Sequence, residues 1–480
     1  MVSGSSSARD GSRSRSFGGY RVDGNKDGLR VSLPGGEEVL LTRRHFLYGL
    51  AAVAALGVVG ASSYAFDQMR ATEASEKVLA VPTTSVFTTE ECTYLEADKN
   101  PVKLQHELRL PYGTQVWSST DSTAVCLVPT DSSRPLTQER IIMLATGAQT
   151  TVLEGAVGAA EGYEIYDVRA CDSGVVWVES NILKGDWRIY QATLTLGASG
   201  GSGAVPPAND PASAVNYATT PTLGEPHLCA EGGGDWEMPT LAAAGAYAWW
   251  QELPRLNTDA SKENSLLKRV RFGSTGTDSW EMMYSSEGRM ACAPTATTTG
   301  VVIAPRAETD LVNYQLTYLD AADGEVIDTL ILPASMRPTE AAYGRTGFSF
   351  AFDGIYDYGG GIADLGTYVP VETTGGNLTD PVEAAAHYGS CDWFRYPRTP
   401  VCAPAWCGPY FMVKSTNAVV GVNLDAREYF ALDVRDGAGD YGDYLASTGM
   451  GTRIVTFSNI DYTPLNGQQE KYSLVRIWWL

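Results

Sequence analysis

Histidine is almost missing from this chain, with 4 in 480 residues. Imidazole is the side chain that most readily exchanges protons near neutral pH, so its scarcity shifts any catalytic reading toward carboxylates and hydroxyls. Basic charge is short as well: 35 Lys and Arg stand against 56 Asp and Glu, a formal net charge of −21. That balance argues against DNA or RNA as a partner, because phosphate backbones are held by clustered cations. Only one apolar run reaches membrane-spanning length, Phe46 to Phe66, and no cysteine occurs before Cys92. In their place are 50 Gly, 25 Tyr and 11 Trp in a chain that is 44% hydrophobic, a supply suited to a large core of turn-rich β structure.

Residues 1–41 are rich in Ser, Gly and Arg without hydrophobic periodicity and read as a disordered segment. Thr42-Arg43-Arg44-His45-Phe46-Leu47 then opens the apolar run, giving the basic, apolar, small-residue order of an export signal over residues 42–66. These residues resemble the twin-arginine translocation motif, with Arg43, Arg44, Phe46 and Leu47 at its defining positions and Tyr48 where lysine is common. Residues 1–45 carry eight basic and five acidic groups, whereas the remainder carries 27 and 51, so the positive-inside rule places the acidic bulk outside the membrane. Ser63 and Ala65 permit cleavage, and the length of the run equally permits retention as an anchor. The expectation is an extracytoplasmic, cell-envelope protein: residues 67–104 as linker and start of the exported region, 105–480 as the folded body. All eight cysteines fall in the exported part, which favours disulfides; Cys391, Cys402 and Cys407 are close enough in sequence to pair among themselves.

A degenerate repeat organises the body. Short apolar strands begin at Thr123, Gly174, Gly245, Gly300, Gly347, Gly408 and Gly451, at separations of 51, 71, 55, 47, 61 and 43 residues. Pro239-Thr240 precedes Gly245 by the same step that Pro294-Thr295 precedes Gly300 and Pro338-Thr339 precedes Gly344. The proline fixes φ where a strand begins, and the glycine permits the tight turn into the next. Gly185-Asp186 and Asp323-Gly324 lie between further alternating segments as hairpin turns. Seven such units at this spacing predict an all-β, seven-bladed β-propeller with four-stranded antiparallel blades behind an N-terminal transmembrane or signal helix. The terminal segment Tyr472–Leu480 is expected to join a blade that residues 104–110 help to close.

On these residues the chain resembles the TolB-like β-propellers and the propeller of dipeptidyl-peptidase-type proteins. The proline-to-glycine step and following strand match at Pro239/Gly245 and Pro294/Gly300. The Ser-Pro-Asp of that family's turn is absent, and Cys171-Asp172-Ser173-Gly174 comes nearest. The resemblance implies an interaction scaffold.

Candidate chemistry is sparse. Gly197-Ala198-Ser199-Gly200-Gly201 matches the nucleophile-elbow pattern, yet it sits in a Gly/Ser/Pro-rich stretch without the strand and helix that strain such a serine. His387, Cys391, Cys402 and Cys407 lack the close-pair spacing of zinc sites, so no metal is assigned. Asp433, Asp436, Asp440 and Asp443 form a Gly-rich acidic loop, a weak calcium candidate without the EF-hand order. Tyr356, Tyr358, Trp393 and Tyr396 are the most loop-like aromatics and the candidate binding surface. No cofactor is expected. The function expected is a non-catalytic envelope platform for protein or glycan; the alternative is a secreted glycan hydrolase or lyase with carboxylates gathered at the propeller channel.

Overall fold

The computed structural model describes backbone strands within residues 15–41, then residues 86–130, 136–196, 220–256, 258, 263–277, 279–307, 311–332, 337–345, 347–353, 363–367, 393–395, 403–464 and 467–480. The chain divides into two compact units, Met1–Ala74 and Ser75–Leu480. In the first, strands Arg15–Phe17, Tyr20–Asn25, Gly28–Ser32 and Glu38–Leu41 form an antiparallel meander. These lie in the segment expected to lack structure. The register aligns Val22 with Val31 and Val31 with Val39, a β-branched row that composition alone conceals.

The second unit is all-β. Among its described residues the helical turns are two short 3-10 segments, Thr89–Glu91 and Ala159–Glu161. No described helix is long and apolar enough to cross a membrane, and Arg43, Arg44, Phe46 and Leu47 lie outside the described residues.

Seven sheets follow one another among the described residues of this unit. The first comprises Gln115–Trp117, Thr123–Pro129, Leu136–Met143 and Gln149–Leu153. The second comprises Glu164–Cys171, Gly174–Asn181, Asp186–Thr195 and His227–Gly233, with Thr222–Leu223 beside the third strand. Thr240–Ala244, Tyr247–Glu252, Ser265–Arg271 and Glu281–Ser286 make the third. Thr295–Ala296, Gly300–Ile303, Gln315–Asp320 and Val326–Ile331 make the fourth. The fifth is Pro338–Gly344, Gly347–Asp353, Ala363–Thr367 and Trp393–Arg395, and the sixth Ala405–Cys407, Tyr410–Lys414, Val419–Asn423 and Glu428–Ala431.

The seventh sheet joins the two ends of the unit. Tyr444–Leu445, Arg453–Tyr462 and Glu470–Trp479 are completed by Lys103–Leu110, which pairs antiparallel from Ser473↔Leu110 to Trp479↔Lys103. Within residues 67–104, expected as linker and start of the exported region, two segments add parallel outer strands: Val86–Thr88 to the fifth sheet and Thr93–Tyr94 to the sixth.

Each sheet packs on the next, and the seventh packs back on the first. Both faces of a sheet are therefore covered, which explains why second strands such as Gly174–Asn181 read as continuous buried runs. Val175 and Trp177 face the first sheet, packing with Val125, Leu127 and Ile141; Val176 and Val178 face the third, against Leu241 and Trp250. The neighbouring tryptophans divide likewise. Trp250 lies in the core between sheets two and three, and Trp249 in the core between sheets three and four with Val301 and Leu319. Truncating either fully buried ring would cost about 3–5 kcal/mol.

The ring has two distinct ends. Turns between first and second strands share an end with those between third and fourth, as where a Cβ on Gly245 would meet Ala321 Cβ at 3.0 Å. Hairpins between second and third strands share the opposite end with the links between sheets, as where Arg188 pairs with Glu161 at 2.9 Å.

Candidate functional site

At the turn end the axis is filled by two short segments. Ser118, after the first strand of sheet one, forms a parallel bridge with Ser447. Thr448 N–H donates to Ser118 O at 2.9 Å, and its Oγ1 donates to Ala296 O of sheet four at 2.7 Å. Ser119 Oγ donates to Ala170 O of sheet two at 3.1 Å, and Gly449–Gly451 pairs parallel with Ala405–Cys407 of sheet six. Hydroxyls suit this place because they satisfy first-strand carbonyls that have no ladder partner on the axial side. Gly449 has φ 74°, and a Cβ there would lie 3.1 Å from Thr297 Cα, so the crossing needs glycine.

Beside this plug, Asp121 joins sheets seven and one. Its carboxylate accepts from Thr452 N–H at 2.7 Å, Thr452 Oγ1 at 2.9 Å and Arg453 N–H at 3.0 Å. Nothing local in the sequence marks this residue, because its partners are more than three hundred positions away.

Adjoining the plug, the Arg169 guanidinium stacks over the Trp117 ring at 4.5 Å, donates to Val168 O at 2.8 Å and pairs with Asp167. Burial raises the Asp167 pKa, and Arg169 opposes that shift. The Val168 N–H donates to the same oxygen, Asp167 Oδ1, at 3.0 Å, so guanidinium and backbone converge on one side of the carboxylate.

A second acidic group lies between sheets one and two. Glu139 is completely buried, and neither carboxyl oxygen has a hydrogen-bond partner. Burial, followed by the neighbouring Glu179, drives its pKa well above the ordinary carboxylate range. Glu179 is itself buried but satisfied, accepting from Val157 N–H at 2.6 Å, Gly158 N–H at 2.8 Å and Trp177 Nε1 at 3.0 Å. Glycoside hydrolysis needs two carboxyls flanking a sugar in an open cleft. Glu139 and Glu179 are sealed between sheets.

The acidic loop has a structural role at two of its four positions. Arg476, fully buried on the third strand of sheet seven, donates from Nε to Asp443 Oδ2 at 3.1 Å and from Nη1 to Asp433 Oδ2 at 3.2 Å. Thr456 Oγ1 adds a bond to Asp443 Oδ2 at 3.0 Å. These two carboxylates balance a buried guanidinium, whereas Asp436 and Asp440 are exposed. Among the described residues no three His, Cys, Asp or Glu gather to hold a metal.

The disulfide expectation is also corrected for the described residues. Cys92, Cys126, Cys171, Cys229, Cys292 and Cys407 are free thiols. Cys126, Cys171, Cys229 and Cys407 each fill a core position as a small hydrophobe, and burial pushes the thiols of Cys229 and Cys407 up to about 12. An even count predicts pairing only when the residues are brought together, and here they are spread over several sheets. Cys391 and Cys402 lie outside the described residues, as do Tyr356, Tyr358 and Tyr396. Trp393 begins the fourth strand of sheet five, its backbone paired with Gly366 on one side and with Val86 on the other.

No protein-family model matches the chain, and no curated protein matches its sequence. Among solved structures, it is similar to a prolyl endopeptidase at 10% identity and TM-score 0.44, covering 92% of this chain and 55% of that one. The β-propeller domain of the Trilobed protease from Pyrococcus furiosus aligns at 9% identity and TM-score 0.29, over 65% of this chain and 93% of that one. The WD40 domain of SCAP from fission yeast aligns at 8% identity and TM-score 0.36, over 79% and 96%. The chain thus spans about half the length of the prolyl endopeptidase, and its fold rests on its own sheet topology: a succession of meanders packed face to face and joined end to end, the arrangement of a β-propeller.

Proposed function

We propose that the chain is a seven-bladed β-propeller, exported or membrane-anchored at the cell envelope, that acts as a non-catalytic binding platform for protein or glycan. The observation that carries this reading is the filled axis: Ser118, Ser119 and Thr448 close one end, and Asp167 beside them is engaged by Arg169. A ring built this way offers its loops and faces to a ligand more readily than a reacting centre. The paired arginines, the apolar run and the charge asymmetry between residues 1–45 and the remainder support placement outside the cytoplasm.

The test is a binding screen of glycans, peptidoglycan fragments and peptides on the full chain, with mass analysis of each ligand recovered. Ligands recovered intact support the platform. A glycan recovered shortened overturns it in favour of a hydrolase or lyase.

A further inference from the structure

The fourth strands of the sheets form the rim of the ring, and an open strand edge presents unpaired backbone groups that invite another strand. Sheets five and six have their rims covered. Val86–Thr88 runs parallel to Trp393–Arg395, and Thr93–Tyr94 runs parallel to Glu428–Ala431, so one stretch of chain passes from rim to rim. Four residues, Thr89 to Cys92, bridge the two, three of them in the 3-10 turn Thr89–Glu91. Sheet seven protects its rim differently. Its strand Lys103–Leu110 carries Lys103, Glu107 and Arg109, charges that discourage edge pairing.

Sheet four has neither device. Among the described residues no strand pairs beyond Val326–Ile331. Four of its six side chains are β-branched (Val326, Ile327, Thr329 and Ile331), and its one charged group, Asp328, accepts from Tyr343 Oη of sheet five at 3.0 Å. Val326 is 50% exposed and Ile327 57%. A six-residue edge of high β-propensity and little free charge is the kind that another strand readily covers.

The path of this chain identifies the covering strand. Sheet four packs on sheet five through Leu316, Leu330, Ala341 and Phe350, so its rim is the next one back along the course of residues 86–94. The compact unit that contains the ring begins at Ser75, ahead of Val86. The four residues before Val86 are Pro82, Thr83, Thr84 and Ser85, the same number that bridges rims five and six. Before them stand Leu79, Ala80 and Val81, uncharged and equal in number to the residues of Val86–Thr88. Pro82 follows this trio at a position where a missing backbone donor ends pairing.

We propose that residues 79–81 add as a parallel outer strand to Val326–Ile331, so that one continuous strap covers the rims of sheets four, five and six. Leu79 and Val81 share one face of that strand and Ala80 takes the other, which gives Val326 and Ile327 apolar neighbours on both faces. The strap uses the rim rather than either end of the ring, so it stands or falls independently of the platform reading.

The experiment is hydrogen–deuterium exchange of the full chain, read by mass analysis of peptides covering residues 324–332 and compared with Leu79→Pro/Ala80→Pro. Backbone donors alternate between the two sides of a strand, so adjacent prolines remove the donor that faces the rim in either register. The outward amides of Val326–Ile331 should be protected in the parent and exchange about tenfold or more faster in the variant. Gly300–Ile303, inside the same sheet, should exchange alike in both, which reports an intact ring. Leu79→Asp/Val81→Asp should loosen the same rim peptide. Rapid exchange of that peptide in the parent overturns the strap, and so does protection that neither variant changes. Protection that rises with protein concentration, alongside a dimer on size-exclusion chromatography, overturns it in favour of edge-to-edge pairing with a second copy.

Discussion

Glu139 offers a sharp test of how the ring is assembled. Its carboxyl lies between two sheets with no partner and faces the satisfied carboxylate of Glu179. The acid therefore holds its proton in the folded ring over a pH range where the unfolded chain, with a glutamate pKa of about 4.3, has lost it. The folded state binds the extra proton, so stability must fall as pH rises above the unfolded value and level off once pH passes the raised folded value. One extra proton sets the slope at about 1.4 kcal/mol per pH unit. Glu139→Gln keeps the shape but cannot ionise. Parent and variant should be similarly stable near pH 4, and the variant should gain on the parent by about that slope as pH increases. Urea melts of both proteins across pH 4 to 9, compared through their midpoints, measure this difference. Parallel stability curves would refute the burial of an uncompensated acid at this interface.

Asp443→Asn weakens the charge partner of a fully buried guanidinium and should cost about 3–5 kcal/mol, visible as a lowered thermal midpoint; an unchanged midpoint would mean Arg476 finds another counter-charge. Asp121→Ala removes three hydrogen-bond acceptances that join sheets seven and one, and should destabilise by about 1–3 kcal/mol in the same melts. Thiol titration of the native protein should leave Cys126, Cys171, Cys229 and Cys407 unreactive until denaturant is added, since burial hides the thiol and disfavours the thiolate.

Much of the fold was written in local signals. Thr123, Gly174, Gly300 and Gly347 each begin the second strand of a sheet, and Gly245, Gly408 and Gly451 each stand two residues before one. Pro338 opens a first strand, and Pro239 and Pro294 stand one residue before one, because a fixed φ and a missing donor are tolerated where a strand begins. Gly324 takes φ 77° in the Asp-Gly turn, within the five residues that separate Gln315–Asp320 from Val326–Ile331. The expectation that residues 104–110 help to close the blade of Tyr472–Leu480 corresponds to the pairing of Lys103–Leu110 with Glu470–Trp479. The candidate site was far less legible. Ser118 and Thr448 look like any polar turn residues, and their meeting depends on the whole ring being in place. The acidic loop resembled a cation site because its counter-charge, Arg476, comes from a distant strand.

The pairing of Lys103–Leu110 with Glu470–Trp479 also imposes an order in time. The strand that completes the ring leaves the ribosome more than three hundred residues before its partner exists. Until residues 470–479 are in place, the seventh sheet is incomplete and the first sheet lacks the neighbour that covers one of its faces. Closure of the ring therefore waits on a contact between segments more than three hundred residues apart, and its slow step should be the docking of those two segments rather than the formation of any single meander.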